Sequence, residues 1–238
     1  MIKLAVSGCQ GRMGQSITKL ASEQANIFQL TTLLEHIDHP KSNERINGVQ
    51  ISTNNFAIKG SDVLIEFTLP DGTIENLHAA VENNVRMVIG TTGFTPEQIS
   101  EIKKASDQIP IVFASNMSIG VNILFKLIKI TAKKIGPSTI SIIETHHIHK
   151  KDKPSGTAKT MAQIAQDSSQ TEIDSVESKR EGEVIGDHEI TFDTNEDVLK
   201  ITHHAKDRSM FAKGALTAAQ FLMDKTNGLY NMQDVLGL

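Results

Sequence analysis

Between Glu144 and Thr157 the chain sets His146, His147 and His149 beside Lys150, Lys151 and Lys153, and follows them with Pro154, Ser155, Gly156 and Thr157. Three chemistries suit such a run. The first is metal binding, since imidazoles are good zinc ligands. Against it, His146 and His147 are neighbours on an expected strand, so their side chains point to opposite sides. No cysteine cluster or carboxylate triad completes a site, and the lysines would repel a cation. The second is a charged surface loop, although so many crowded cationic groups call for a counter-anion. The third is a pocket for an anionic substrate. There the lysine ammonium groups and a helix N-terminus at Ser155-Gly156-Thr157 would clamp carboxylates. A histidine that titrates near neutrality can deliver a proton where charge develops. Set opposite a nicotinamide, these groups would reduce a C=C, C=N or C=O bond of a carboxylate compound. The residues alone leave the bond open.

A hydride donor needs its own site, and the N-terminal stretch offers one. Residues 2–7 read as a buried parallel strand. Gly8-Cys9-Gln10-Gly11-Arg12-Met13-Gly14 follows, then a helix over 13–24, a strand over 27–34 and Glu35. Strand, glycine turn, helix, strand and acid make the opening unit of a dinucleotide fold. The glycines permit a tight turn and close approach of a pyrophosphate, and the helix N-terminus presents N–H groups to it. Arg12 could add a charge-assisted contact, and Glu35 would accept from ribose hydroxyls. The spacing is G-x-x-G-x-x-G, so a plain structural turn is the competing reading. Cys9 reads as a small filler.

The remaining elements follow the same alternation. Strands are expected at 62–68, 85–89 and 109–114, with helices at 71–83 and from Pro96 to Ala105. The turn Gly90-Thr91-Thr92-Gly93 closes a strand, where ligands of α/β sheets sit. Residues 36–60 read as polar loop with a short strand near Val49–Ser52. From residue 121 the pattern changes: a helix over 121–134, a strand over 138–144 delivering the His/Lys run, and a helix from Ser155 or Gly156 to Gln166. Strands at 176–182, 187–194 and 197–204 follow. This half suits an antiparallel or mixed sheet with one covered face. A helix over 209–225 and a packed tail over 229–238 end the chain.

The 238 residues suffice for one large or two small domains. A net charge of −4 argues against a nucleic-acid surface. A single cysteine excludes an intrachain disulfide. The apolar opening is too short for a signal peptide, and no run approaches membrane-spanning length. A cytoplasmic protein with no nucleic-acid or membrane partner is expected.

Read together, these motifs resemble the dihydrodipicolinate reductase (4-hydroxy-tetrahydrodipicolinate reductase) family of lysine and diaminopimelate biosynthesis. The resemblance rests on Val6 to Gly14, Gly90 to Gly93, Ser115 to Asn122, and above all Glu144 to Lys150 with Pro154-Ser155-Gly156-Thr157-Ala158. Arg180-Glu181-Gly182, Gly186-Asp187-His188, Arg208 and Gly228-Leu229-Tyr230-Asn231-Met232 extend it along nearly the whole chain. It implies an α/β fold: a Rossmann-type nucleotide-binding domain over 1–116, and a smaller α+β substrate and oligomerisation domain with a mixed sheet over 117–212. Residues 213–238 would return to the first domain, and the open sheet face would build a homotetramer.

It further implies NAD(P)H-dependent transfer of hydride to ring C4 of a cyclic dicarboxylate, with no metal. His146 would be the general acid and Lys150 the second catalytic residue. His147, Lys150, Ser155, Gly156 and Thr157 would bind the diacid. Gly8, Cys9, Gln10, Gly11, Arg12, Met13, Gly14, Glu35, Gly90, Thr91, Thr92, Ala114, Ser115, Asn116 and Met117 would hold the cofactor. Two positions depart from the family pattern. His36, where some NADP-using relatives place arginine, follows Glu35 and favours NADH. Asp207 precedes Arg208, where serine or threonine is usual. The alternatives are another two-domain NAD(P)-dependent oxidoreductase of aspartate-derived metabolites and a non-catalytic nucleotide sensor.

Overall fold

The computed structural model describes residues 1–238, which form two compact units: residues 1–117 with 211–237, and residues 118–210 with Leu238. In chain order the first unit begins with β1 (Ile2–Ser7), α1 (Arg12–Glu23), β2 (Phe28–Leu34), β3 (Arg45–Ile46), β4 (Val49–Ser52), β5 (Val63–Glu66), α2 (Pro70–Glu82), β6 (Arg86–Ile89), α3 (Pro96–Ala105) and β7 (Pro110–Phe113). The second contains α4 (Ile119–Lys134), β8 (Thr139–His146), α5 (Gly156–Ser169), β9 (Ser175–Arg180), β10 (Asp187–Asp193) and β11 (Val198–His204). The chain then adds α6 (Ser209–Phe221), β12 (Gly228–Tyr230) and α7 (Met232–Leu236), which complete the first unit from Phe211 onward.

The first unit is an eight-stranded sheet in the order β12-β7-β6-β5-β1-β2-β4-β3, parallel throughout except for the β3–β4 pair. Its central strands are continuous apolar runs: Leu4-Ala5-Val6, Val63-Leu64-Ile65 and Met87-Val88-Ile89 are all fully buried. Burying such a side chain is worth roughly 1.5–3 kcal/mol. Strand propensity spans only about 1 kcal/mol, so burial on both faces decides these elements. One face packs under α1 and α6 through Ile17, Ala21, Ala215 and Ala219. The other packs under α2 and α3 through Leu77, Ala80 and Ile102. β1 lies between β2 and β5, so the strand order reverses at its carboxyl end, the customary ligand position in such sheets.

The tail expected to pack over 229–238 does so, and it also supplies a strand: Gly228, Leu229 and Tyr230 pair in parallel with Pro110, Ile111 and Val112. The last long helix stops at Phe221, and Leu222–Asp224 continue as a tighter 3-10 turn.

The second unit is a mixed four-stranded sheet, ordered β11-β10-β8-β9, with β8–β9 the parallel pair. α4 and α5 cover one face, burying Leu124, Ile128 and Met161 against Ile140, Ile142, Ile190 and Phe192. Strand β8 shows the period of two. Ile140, Ile142, Glu144 and His146 are buried, while Ser141, Ile143 and Thr145 on the opposite face are half-buried. The covered stripe is therefore apolar at its start and polar at its end. β8 runs two residues beyond the expected 138–144, so His146 lies on the strand as expected, whereas His147 follows its end. No helix is long and apolar enough to cross a membrane.

Candidate active site

The expected nucleotide half lies at the end of β1. Gly8 turns the chain with φ +66°, a conformation that favours glycine, and its carbonyl accepts from Gly11 N–H at 2.9 Å. A Cβ on Gly14 would strike that same carbonyl, so the first turn of α1 lies directly on the loop. Gly11 caps α1 without any side-chain bond, so no side chain covers the helix's N-terminal donors. Gln10 N–H donates to Glu35 Oε2 at 2.9 Å, and His36 N–H donates to Oε1 at 2.9 Å. The acid is thus docked onto the glycine turn by the backbone, with lone pairs remaining for ribose hydroxyls. These features fit a dinucleotide: a backbone cradle that a side chain would fill, an open helix terminus and a fixed acid.

The other residues expected around the cofactor differ in exposure and packing. Cys9 is fully buried, and burial, followed by the charge of Glu35, pushes its thiol up to about 12. It remains a thiol and packs in the core. Thr91 is buried and its hydroxyl accepts from Thr73 at 3.0 Å, whereas Thr92 is exposed. Gly90 lies against the Phe67 ring, which a Cβ there would overlap. Met117 packs in the core, with its carbonyl under Gly214, while Ser115 is exposed. Beneath the turn, Asn76 Nδ2 donates to Ser7 Oγ at 2.9 Å and to Glu66 Oε2 at 2.7 Å. Burial raises the Glu66 carboxyl, and hydrogen bonds from Thr68, Asn76 and Ser7 oppose that rise only in part. This trio braces the ends of β1 and β5, and nothing in the sequence singles it out.

In the second half, the strand period puts Glu144 and His146 on one face, and Glu144 Oε2 bonds His146 Nδ1 directly. Glu144 is fully buried; its Oε1 meets the Arg180 guanidinium at 2.9 Å and accepts from Ser155 N–H at 3.3 Å. Burial alone would raise this carboxyl, but Arg180, Ser178 and His146 outweigh it and hold it below the usual range. Arg180 stands beside His146 in the β8–β9 register, and it donates from Nε to the Lys150 carbonyl at 3.3 Å and from Nη2 to the Asp152 carbonyl. One buried ion pair therefore ties together the imidazole, the lysine loop and the start of α5.

The imidazole itself is 8% exposed. Burial lowers its pKa, Glu144 opposes that shift, and Lys150 and Arg180 add to it; the net direction is down. The Nε2 edge faces Gly186, where a Cβ would come within 3.0 Å. Lys150 pairs with Asp152 at 2.8 Å, and His149 with Glu183 at 3.4 Å. Carboxylates of the chain itself thus meet part of the cationic crowding. Ser155 Oγ caps α5 by accepting from Ala158 N–H at 3.2 Å. Gly156 at the first helical position is exposed, and Thr157 is half-buried. His147 is half-buried, and its Nδ1 has no protein partner. No group of three or more His, Cys, Asp or Glu is arranged to hold a metal ion.

Glu144, Arg180, Gly186 and His188 were not assigned roles from sequence. The i, i+2 spacing of Glu144 and His146 on a strand was the available signal; the other three come from distant strands or turns.

Comparison with known proteins covers both halves. Residues 2–117 match the family profile described as dihydrodipicolinate reductase, N-terminus, and residues 120–236 match the one described as its C-terminus. The chain is 40% identical to the 4-hydroxy-tetrahydrodipicolinate reductase of Pelagibacter ubique, over 99% of this chain and 98% of that one. It is 39% identical to that of Nitrosomonas europaea, over 100% and 98%. Among solved structures, a dipicolinate-bound dihydrodipicolinate reductase from Paenisporosarcina superposes with a TM-score of 0.88 at 25% identity, covering 98% of this chain and 99% of that one. A mycobacterial amine dehydrogenase shares the fold at a TM-score of 0.70 and 8% identity. With both halves matched and relatives aligned from end to end, the chain belongs to the dihydrodipicolinate reductase family.

Proposed function

We propose that this protein is an NAD(P)H-dependent 4-hydroxy-tetrahydrodipicolinate reductase of lysine and diaminopimelate biosynthesis. Its substrate is the cyclic hydroxy-diacid or the dihydrodipicolinate formed from it by loss of water, and its product is tetrahydrodipicolinate. The observation that carries this reading is a strand-held imidazole, a lysine and a helix N-terminus assembled in one unit of a chain related throughout to curated reductases.

A bound nicotinamide would supply the hydride that ring C4 receives. The residues of this chain do the rest. His146 gives a proton from Nε2 to the electron density that hydride addition builds on the ring enamine, so that the pair adds across one double bond. In the free protein its lowered pKa keeps the imidazole neutral near pH 7. The two carboxylates of a bound substrate oppose that shift, so substrate binding favours protonation of the acid that the reaction consumes. Lys150 and the α5 N-terminus at Ser155, Gly156 and Thr157 hold the carboxylates, with His147 beside them. Cationic binding that strengthens as charge develops lowers the barrier.

Glu35, with Asp38 beside His36 at 3.6 Å, puts carboxylates at the ribose end and disfavours a 2′-phosphate, so NADH is the preferred donor. The open face of the second sheet carries a groove of about 360 Å³ lined by Ile143, Thr145, Lys179, Glu189 and Thr202. On the family pattern this face joins subunits into a homotetramer, and the enzyme works in the cytoplasm. A semialdehyde dehydrogenase would need a reactive thiol, and the only cysteine is buried and protonated.

The test supplies purified protein with the condensation product of pyruvate and aspartate semialdehyde, and follows nicotinamide absorbance with NADH and with NADPH. Oxidation that depends on the condensation product is expected. No oxidation with either cofactor refutes the reading.

A further inference from the structure

We propose that Glu144 and Arg180 act as a positioning pair that sets the tautomer of His146 and holds the lysine loop and the α5 N-terminus in register with it. The inference rests on the role of His146 proposed above, and adds residues that touch neither substrate nor cofactor.

The geometry has three parts. Glu144 is ionised and fully buried, so the His146 nitrogen facing it must carry a hydrogen. That fixes Nδ1 as the donor and leaves Nε2 as the atom that exchanges a proton with a ligand. A lone buried carboxylate would take up a proton instead, and the guanidinium 2.9 Å away prevents this. The same guanidinium reaches the carbonyls of Lys150 and Asp152, and the same carboxylate receives Ser155 N–H. Turning Glu144 therefore moves the proton donor, the loop bearing the lysine and the N-cap residue of α5 together. Gly186 completes the arrangement, because any Cβ there would press on Nε2.

The charged and titratable groups around the imidazole are Glu144 on its own strand, Arg180 on β9, Lys150 in the loop and His188 on β10. Only Glu144 favours the charged ring. Glu144→Gln keeps the size and an oxygen acceptor but removes the charge. Its kcat is expected to fall about 100-fold, the scale of one general acid–base group. KM for NADH should stay within about twofold, and the alkaline limb of the kcat profile should move to lower pH. Glu144→Asp, which keeps the charge, should recover part of kcat and restore the limb. Arg180→Met should lower kcat and also raise KM for the dicarboxylate, since it frees the loop. A Glu144→Gln enzyme with the wild-type profile overturns the proposal.

If the variants do not fold, nitrogen NMR of isotope-labelled histidine in the wild-type protein decides. Nδ1–H is the expected tautomer of neutral His146, and Nε2–H overturns the proposal. Wild-type protein that shows the Nδ1–H tautomer yet reduces no dicarboxylate would instead sink the reaction assigned above.

Discussion

The His188 ring meets the His146 ring edge-on, with centroids 5.2 Å apart and planes inclined at 74°. His203 lies 5.8 Å from His188. His188 is 5% exposed and neither ring nitrogen has a protein partner. Burial, then the neighbouring His146 and His203, pushes its pKa from 6.5 to about 4, against the smaller pull of Glu144 and Asp187. Between those values the unfolded chain binds a proton that the folded one refuses. Stability therefore falls as pH drops from about 6.5 to about 4, by roughly 3 kcal/mol for this group alone. Urea unfolding across that range measures the slope, and His188→Phe should flatten it. An equal slope in the variant would assign acid sensitivity to other groups.

Asp152 holds the Lys150 ammonium at 2.8 Å, and both side chains keep some exposure. The lysine pulls the carboxyl down by hydrogen bond and charge. In the proposed site a substrate carboxylate would share or replace that partner. Asp152→Asn is therefore expected to lower KM for the dicarboxylate a few-fold, in line with the ~1 kcal/mol typical of exposed pairs. Steady-state kinetics at low salt reads this directly. A raised KM would mean that Asp152 orients Lys150 rather than competing for it.

Gly156 starts α5 with no packing reason to be glycine, because a Cβ there would meet nothing within 4 Å. Its backbone does not require glycine either, since its φ is not among the positive ones. Gly156→Ala should leave the melting free energy within about 0.5 kcal/mol or improve it, while raising KM for the substrate by crowding the carboxylate cradle. Loss of stability with unchanged KM would make the glycine a folding residue instead.

Much of this was legible in the chain, and the gaps have physical causes. Leu4-Ala5-Val6 and Met87-Val88-Ile89 announce buried parallel strands because both faces are covered, so no polar residue interrupts them. Gly228-Leu229-Tyr230 does not, since glycine and the following asparagine are turn formers; only its pairing beside β7 makes it a strand. His146 and Lys150 stood out by type and crowding. Glu144 was in plain view two residues before His146, yet its meaning depends on the strand continuing through His146. Arg180, Gly186 and His188 lie more than 30 residues away, and only the β9-β8-β10 pairing brings them near.

Cofactor choice turns on the segment after β2. Glu35 is bonded to Gln10 N–H, and His36 Nδ1 accepts from Asp38 N–H at 3.3 Å, so this nitrogen is not offered to a phosphate. A higher kcat/KM with NADH than with NADPH is expected, and His36→Arg should narrow the gap. A large NADPH preference in the wild type would show that Arg12 supplies a phosphate site.

The most direct measurement is kcat of His146→Gln beside its affinity for NADH. Loss of the proposed proton donor should cut kcat by about 100-fold or more, with the dissociation constant for NADH within about twofold, because the site proposed for NADH, at Gly8–Gly14 and Glu35, belongs to the other unit. An unchanged kcat would remove His146 as the acid and contradict the account at its centre.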